Sequence, residues 1–165
     1  MSIPAHHSTE SAAGDRGRGL GAAQAERIAA NCDIYLRLFH VTAGLSRDEV
    51  MSFGGEALDR IAAFAPELAD EIAGIASGSG QPTELIGALN ARTELLCAGS
   101  ECSAIACLGS ATASGTPIGV QTWDWHDDLA SCWMRWTIDH ASGHRVETMT
   151  EAGIVGKVGV SSAGV

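Results

Sequence analysis

A cysteine just before the first strand of a sheet has a fixed backbone and a side chain that a small molecule can reach. Cys102 has that setting: the helical period of the preceding chain ends at Glu101-Cys102, and a period of two begins with Ser103-Ala104-Ile105-Ala106-Cys107-Leu108. Ser103 and Ala104 are small and leave room for a substrate. About twenty residues on, Gln121-Thr122-Trp123-Asp124-Trp125 sets a carboxylate between two indoles at the end of a second alternating run that starts at Pro117. A turn within Gly109 to Thr116 makes the two runs a hairpin and brings Cys102 and Asp124 to one edge of a sheet. There Asp124 can orient an amine or thiol proton at Cys102. Taken alone, Cys102 reads first as a buried structural thiol, the usual state of a free cysteine.

Other chemistry is less supported. Asp124-Trp125-His126-Asp127-Asp128 joined by His140 and His144 offers metal-ligand types, but no pair has zinc-finger spacing, and acidic residues between strands ordinarily form solvated turns. No metal and no cofactor is expected. The chain has five cysteines, an odd count without a secretion signal, so they are read as thiols, Cys107 among them as core. Trp123, Trp125, Trp133 and Trp136 read as sheet core rather than as a substrate platform.

The elements that must position Cys102 follow from periodicity. Residues 1–20, with Gly14-Asp15-Arg16-Gly17-Arg18-Gly19, have a loop composition and are expected to form a flexible arm. Residues 21–101 form a helical segment. Ile28, Cys32, Tyr35, Leu36 and Phe39 fall at helical offsets in a first helix ending near His40. Ser46 and Glu49 fit a capping box for a second, with Val50, Ala57, Leu58, Ile61 and Phe64 on one face. Pro66 opens a third, with Leu68, Ile72 and Ile75 inward and Gly78-Ser79-Gly80 as its end; a fourth runs from Thr83 to about Leu96. Residues 102–165 are read as the start of a β-sheet, adding strands at Cys132 to Ile138, Arg145 to Thr150 and Lys157 to Val160. A helical block followed by an antiparallel β block is an α+β arrangement.

Composition sets the class. The chain has 165 residues, 45% hydrophobic and 18% charged, enough to bury one core and too apolar for disorder. The formal charge is -10 without a basic cluster, which argues against nucleic acid and anionic membranes as partners. No apolar run approaches the ~20 residues of a membrane helix, and Met1-Ser2-Ile3-Pro4-Ala5-His6-His7 lacks signal-peptide character, so the expected compartment is the cytoplasm.

Several runs carry a family resemblance: Glu101-Cys102-Ser103-Ala104-Ile105-Ala106; Gly119-Val120-Gln121-Thr122-Trp123-Asp124-Trp125; and Thr150-Glu151-Ala152-Gly153-Ile154-Val155-Gly156-Lys157-Val158-Gly159. Arg16-Gly17, Pro66-Glu67, the run from Gly74 to Gly80, and Leu89-Asn90-Ala91-Arg92 agree in order. Together they resemble the first half of the acyl-coenzyme A:6-aminopenicillanic acid acyltransferase family of cysteine peptidases. The resemblance implies an N-terminal-nucleophile hydrolase fold, an αββα sandwich, here cut short. It implies self-cleavage between Glu101 and Cys102, catalysis by Cys102 through a thioester, and Asp124 as its partner. The expected substrate is a small amide, acyl peptide or other acyl donor, with acyl-coenzyme A as a candidate substrate rather than a cofactor. The alternative expectation is a non-catalytic remnant that associates with itself through an open sheet edge.

Overall fold

The computed structural model describes residues 3–96 and 102–164. The chain divides into two compact units, one of residues 1–97 and 128–165, the other of residues 98–127.

In the larger unit the order is β1 (Ala5–Ser8), α1 (Ala13–Ala23), α2 (Ala25–Ala43), α3 (Arg47–Phe64), α4 (Pro66–Ser79), α5 (Thr83–Asn90) and α6 (Arg92–Leu96). The smaller unit contributes β2 (Ala104–Cys107) and β3 (Ile118–Gln121), after which the larger resumes with β4 (Trp133–Asp139), β5 (Arg145–Glu151) and β6 (Val158–Ser161). Helices and strands thus coexist as an α+β chain, but residues 102–165 do not build one sheet. β2 and β3 pair only with each other, and a four-stranded sheet runs β1-β4-β5-β6.

Most helices form where the period places them. Ile28, Cys32, Tyr35 and Phe39 of α2 are buried, and Gly44 ends the helix in the left-handed region at φ 70°. Ser46 caps α3 with the reciprocal bond from its own N–H to Glu49. Pro66 opens α4, and Gly80 closes it at φ 71°. The segment from Thr83 breaks at Ala91 into α5 and α6 rather than running on as one helix. Phe64 lies on the expected face yet is 90% exposed, and Leu68, expected inward, is 41% exposed.

The expectation of a flexible arm at residues 1–20 is corrected: the segment holds a strand and a helix. The glycines that suggested a loop are packing surfaces. A Cβ on Gly17 would lie 2.0 Å from the Glu71 carbonyl oxygen, and one on Gly21 2.4 Å from that of Ile75. From the other side, a Cβ on Gly74 would lie 2.2 Å from the Gly14 carbonyl oxygen, and one on Gly78 2.2 Å from that of Arg18. α1 and α4 therefore run in the same direction with their backbones touching. Between them Arg16 Nε donates to Glu71 Oε1 at 2.8 Å, both residues being 5% exposed. The Arg16 guanidinium also donates to the Glu10 and Ser11 carbonyls. Burial pushes the Glu71 carboxyl above its ordinary value, and the Arg16 bond and charge pull part of that back.

β1 lies parallel to β4, with Ala5 opposite Arg135 and Ser8 opposite Ile138. Along β4 Met134, Trp136 and Ile138 are buried, as the alternation predicts. The buried Trp136 Nε1–H donates to Ser8 Oγ at 3.0 Å. At the strand's end Asp139 accepts both Nε and Nη2 of Arg145, at 2.6 and 3.1 Å, and lies 2.8 Å from His7 Nε2. These bonds, that to Arg145 first, hold the Asp139 carboxyl down at about 2.

Two predictions follow from this packing. Gly21→Ala should destabilise the protein by about 1–3 kcal/mol, because the methyl meets backbone rather than a movable side chain. Gly55→Ala, whose new Cβ meets only the Glu84 side chain at 3.8 Å, should stabilise it by about 0.5–1 kcal/mol; urea unfolding of both variants checks the sign. Because the Asp139 pKa is depressed on folding, its stabilising contribution is present above the ordinary value of 3.8 and is lost as pH falls through about 2. Melting temperature against pH should accordingly fall more shallowly between pH 4 and 2 for Asp139→Asn than for wild type.

Candidate functional site

The smaller unit is a hairpin with Cys102 at its entrance. Ile105 faces Val120 and Cys107 faces Ile118, with Ala104 opposite Gln121 and Ala106 opposite Gly119 on the other face. The connecting turn is fixed by Thr112, whose hydroxyl donates to Thr116 O at 2.8 Å and Gly109 O at 3.1 Å, and by Gly115 at φ 71°.

The ladder continues past the regular strands. Thr122 N–H donates to Ser103 O at 2.8 Å, and Ser103 N–H donates to Thr122 Oγ1 at 3.0 Å. With Ser103 and Thr122 paired, Cys102 and Asp124 stand at the same end of the hairpin, as the spacing of the two runs predicts. Both side chains are exposed, and among the described residues no hydrogen bond joins them. By alternation Cys102 falls on the face of Ala104 and Ala106, which also carries Gln121. Glu101, on the far side of the expected scissile bond, lies outside the described residues.

Cys107 is exposed, which corrects its assignment as core; every residue of β2 and β3 is exposed, leaving Ile105, Ile118 and Val120 uncovered as well. Among the described residues, Cys32 and Cys132 are the thiols that fit the buried reading. Burial, followed by the charge of Asp33, pushes the Cys32 thiol up to about 12, and burial raises Cys132. Trp136 is core as expected, while Trp123, Trp125 and Trp133 are half-buried. Among the described residues no group of three or more His, Cys, Asp or Glu is placed to hold a metal ion, and no helix is long and apolar enough to cross a membrane.

In the larger unit, residues 150–157 form a corner between β5 and β6, buried from Thr150 to Ile154. Its Glu151 carboxylate, 0% exposed, accepts from Tyr35 OH at 2.7 Å and from Lys157 Nζ. Asn31 Nδ2 donates to Ala152 O at 2.8 Å, and Asn90 Nδ2 to Gly153 O at 2.9 Å. Asn90 Oδ1 in turn accepts from Val155 N–H at 3.0 Å. Gly153, at φ 96°, sits against Leu89 and Ile28. Sequence reasoning did not single out Asn31 or Tyr35 for this role, although Asn31 was visible as a polar residue on the apolar stripe of α2.

No family model matches the chain. Among curated proteins, the acyl-coenzyme A:6-aminopenicillanic-acid-acyltransferase 40 kDa form of Emericella nidulans is 36% identical to it over 104 residues, which is 61% of this chain and 28% of that protein. The family resemblance is borne out. The chain spans less than a third of the length of that acyltransferase. Runs that carry the resemblance also meet in space within each unit: Gly17 with Ile75, Asn90 with Gly153 and Val155, and Ser103 with Thr122.

The thiols should separate cleanly by reactivity. Iodoacetamide on the native protein should modify Cys102 and Cys107 and leave Cys32 and Cys132 until urea is added, read peptide by peptide by mass spectrometry. Equal native rates at Cys32 and Cys102 would contradict the burial of α2.

Proposed function

We propose that this chain is part of a self-processing N-terminal-nucleophile cysteine amidohydrolase or acyltransferase, with Cys102 as nucleophile and Asp124 as its partner. The observation that carries the reading is the placement of an exposed Cys102 at the entrance of a hairpin, at the same end as Asp124, in a chain similar to an acyltransferase.

The chemistry runs in two stages. In the precursor the Cys102 nitrogen is an amide. The sulfur attacks the Glu101 carbonyl carbon, the C–N bond breaks, and the nitrogen takes the thiol proton to become an amine. Water then opens the Glu101 thioester, leaving a carboxylate on one chain and a free thiol on Cys102. An α-amine has a pKa of about 7.7–8.0 and a thiol about 8.5, so the new N-terminus supplies a base within reach of its own nucleophile. Asp124 orients that amine.

In the second stage the thiol attacks an external amide or thioester. The leaving amine or thiol departs with the proton, and the acyl group stays on sulfur. Water then completes hydrolysis, or an amine acceptor completes transfer. A small acyl donor, acyl-coenzyme A included, suits the face of Ala104 and Ala106, and no cofactor is needed. Donors aimed at the developing oxyanion would contribute about 3–4 kcal/mol to lowering the barrier.

Protein purified from its complete reading frame should show two chains by intact mass, the second beginning Cys102-Ser103-Ala104. Cys102→Ala should remain one chain. Asp124→Asn should lower amide turnover by about 10²-fold, while Asp127→Asn and Asp128→Asn stay within about threefold. An uncut wild-type chain after long incubation, or equal losses at the three aspartates, would overturn the assignment.

A further inference from the structure

We infer that the Thr122 side chain is a positioning group for Cys102, holding the one peptide bond by which the cut nucleophile is attached; the inference rests on the reading of Cys102 proposed above. In a regular antiparallel ladder the Ser103 N–H would donate to the backbone carbonyl of the opposing residue. Here it donates instead to Thr122 Oγ1 at 3.0 Å, while Thr122 N–H keeps its bond to Ser103 O at 2.8 Å. A hydroxyl replaces a carbonyl in the last rung. Among the described residues the Ser103 N–H thus makes no ladder bond to the Thr122 carbonyl, and regular β3 ends at Gln121.

The position of that rung gives it its role. The Ser103 N–H belongs to the peptide plane that joins Cys102 to Ser103. With the Glu101–Cys102 bond cut, this plane is the only covalent support of the nucleophile. Pinning it leaves rotation about Cα–C and Cα–Cβ as the remaining freedoms that set sulfur and amine. The same Thr122 lies two residues before Asp124, so one residue fixes the origin of both partners. A β-branched side chain holds its hydroxyl in few rotamers, which suits it to the task. Valine keeps the shape of threonine without the acceptor, and serine keeps the acceptor without the methyl group.

The test uses protein from the complete reading frame carrying Thr122→Val, Thr122→Ser or Thr112→Val. The last removes the hydroxyl that donates to Gly109 and Thr116 at the opposite end of the same hairpin. Self-cleavage is followed by intact mass, and exchange of the Ser103 amide by hydrogen–deuterium mass spectrometry. The expected result is a cleavage rate lowered at least about tenfold in Thr122→Val with faster Ser103 exchange, and a rate restored to within about threefold in Thr122→Ser. Thr112→Val should cleave at nearly the wild-type rate. Equal slowing by Thr112→Val and Thr122→Val would reduce Thr122 to a general hairpin contact and overturn the inference, as would wild-type cleavage in Thr122→Val. Failure of serine to rescue would also overturn it. A wild-type chain that stays uncut overturns the nucleophile reading itself, and is recognised before any variant is compared.

Discussion

The larger unit depends on two helices whose backbones touch. α1 and α4 approach so closely that Gly17, Gly21, Gly74 and Gly78 could not each carry even a methyl group without meeting a carbonyl oxygen. A glycine in a helix interior costs about 0.5–1 kcal/mol relative to alanine, so this contact must return more than the several glycines lose. It does so through dense backbone packing and through the buried Arg16–Glu71 pair, whose guanidinium also donates to the Glu10 and Ser11 carbonyls. Removing either charge would leave the other buried without compensation, the more damaging situation for such a pair. A second close approach recurs where Gly54 of α3 meets the Glu84 backbone in α5, so the helical block repeats one packing device.

That frame holds the corner at residues 150–157, and it does so with side chains. Asn31 and Asn90 reach from two helices to the carbonyls of Ala152 and Gly153, while Lys157 pairs with the Glu151 carboxylate and Tyr35 donates to it. The fully buried bonds of this corner, Asn31 to Ala152 O and Tyr35 to Glu151, tolerate little substitution, because losing either partner strands a group that water cannot reach. In the hairpin the corresponding device is smaller: one threonine hydroxyl closes the last rung beside Cys102.

What was legible in the sequence was what local rules decide. The stripe from Ile28 to Phe39, the box from Ser46 to Glu49, Pro66 at a helix start and the alternation along β4 each depend on neighbours within one or two turns. The hairpin and the placement of Cys102 and Asp124 at one end were legible for the same reason. α1 was hidden because glycine reads as a breaker until its packing partner is known, and that partner begins at Pro66. β1 was hidden because four residues of mixed polarity give no period, and their partner strand is remote. Cys107 was misread because the alternation shows which residues share a face without showing what covers that face. Asn31, Tyr35 and the Thr122 hydroxyl act through contacts that no spacing rule announces.

The pairing of β1 with β4 has a consequence for how the chain is made. Ala5 to Ser8 find their partners only at Arg135 to Ile138, so the pair closes a loop through nearly the whole chain. Loop closure of that length is entropically expensive and pairing across it is late. On the ribosome, where synthesis is vectorial and the earlier part folds first, the helical block can assemble while its first strand still waits for a template. Residues of β1 are therefore made long before the strand that pairs with them, and Ser8 can receive the Trp136 indole N–H only once β4 has been made.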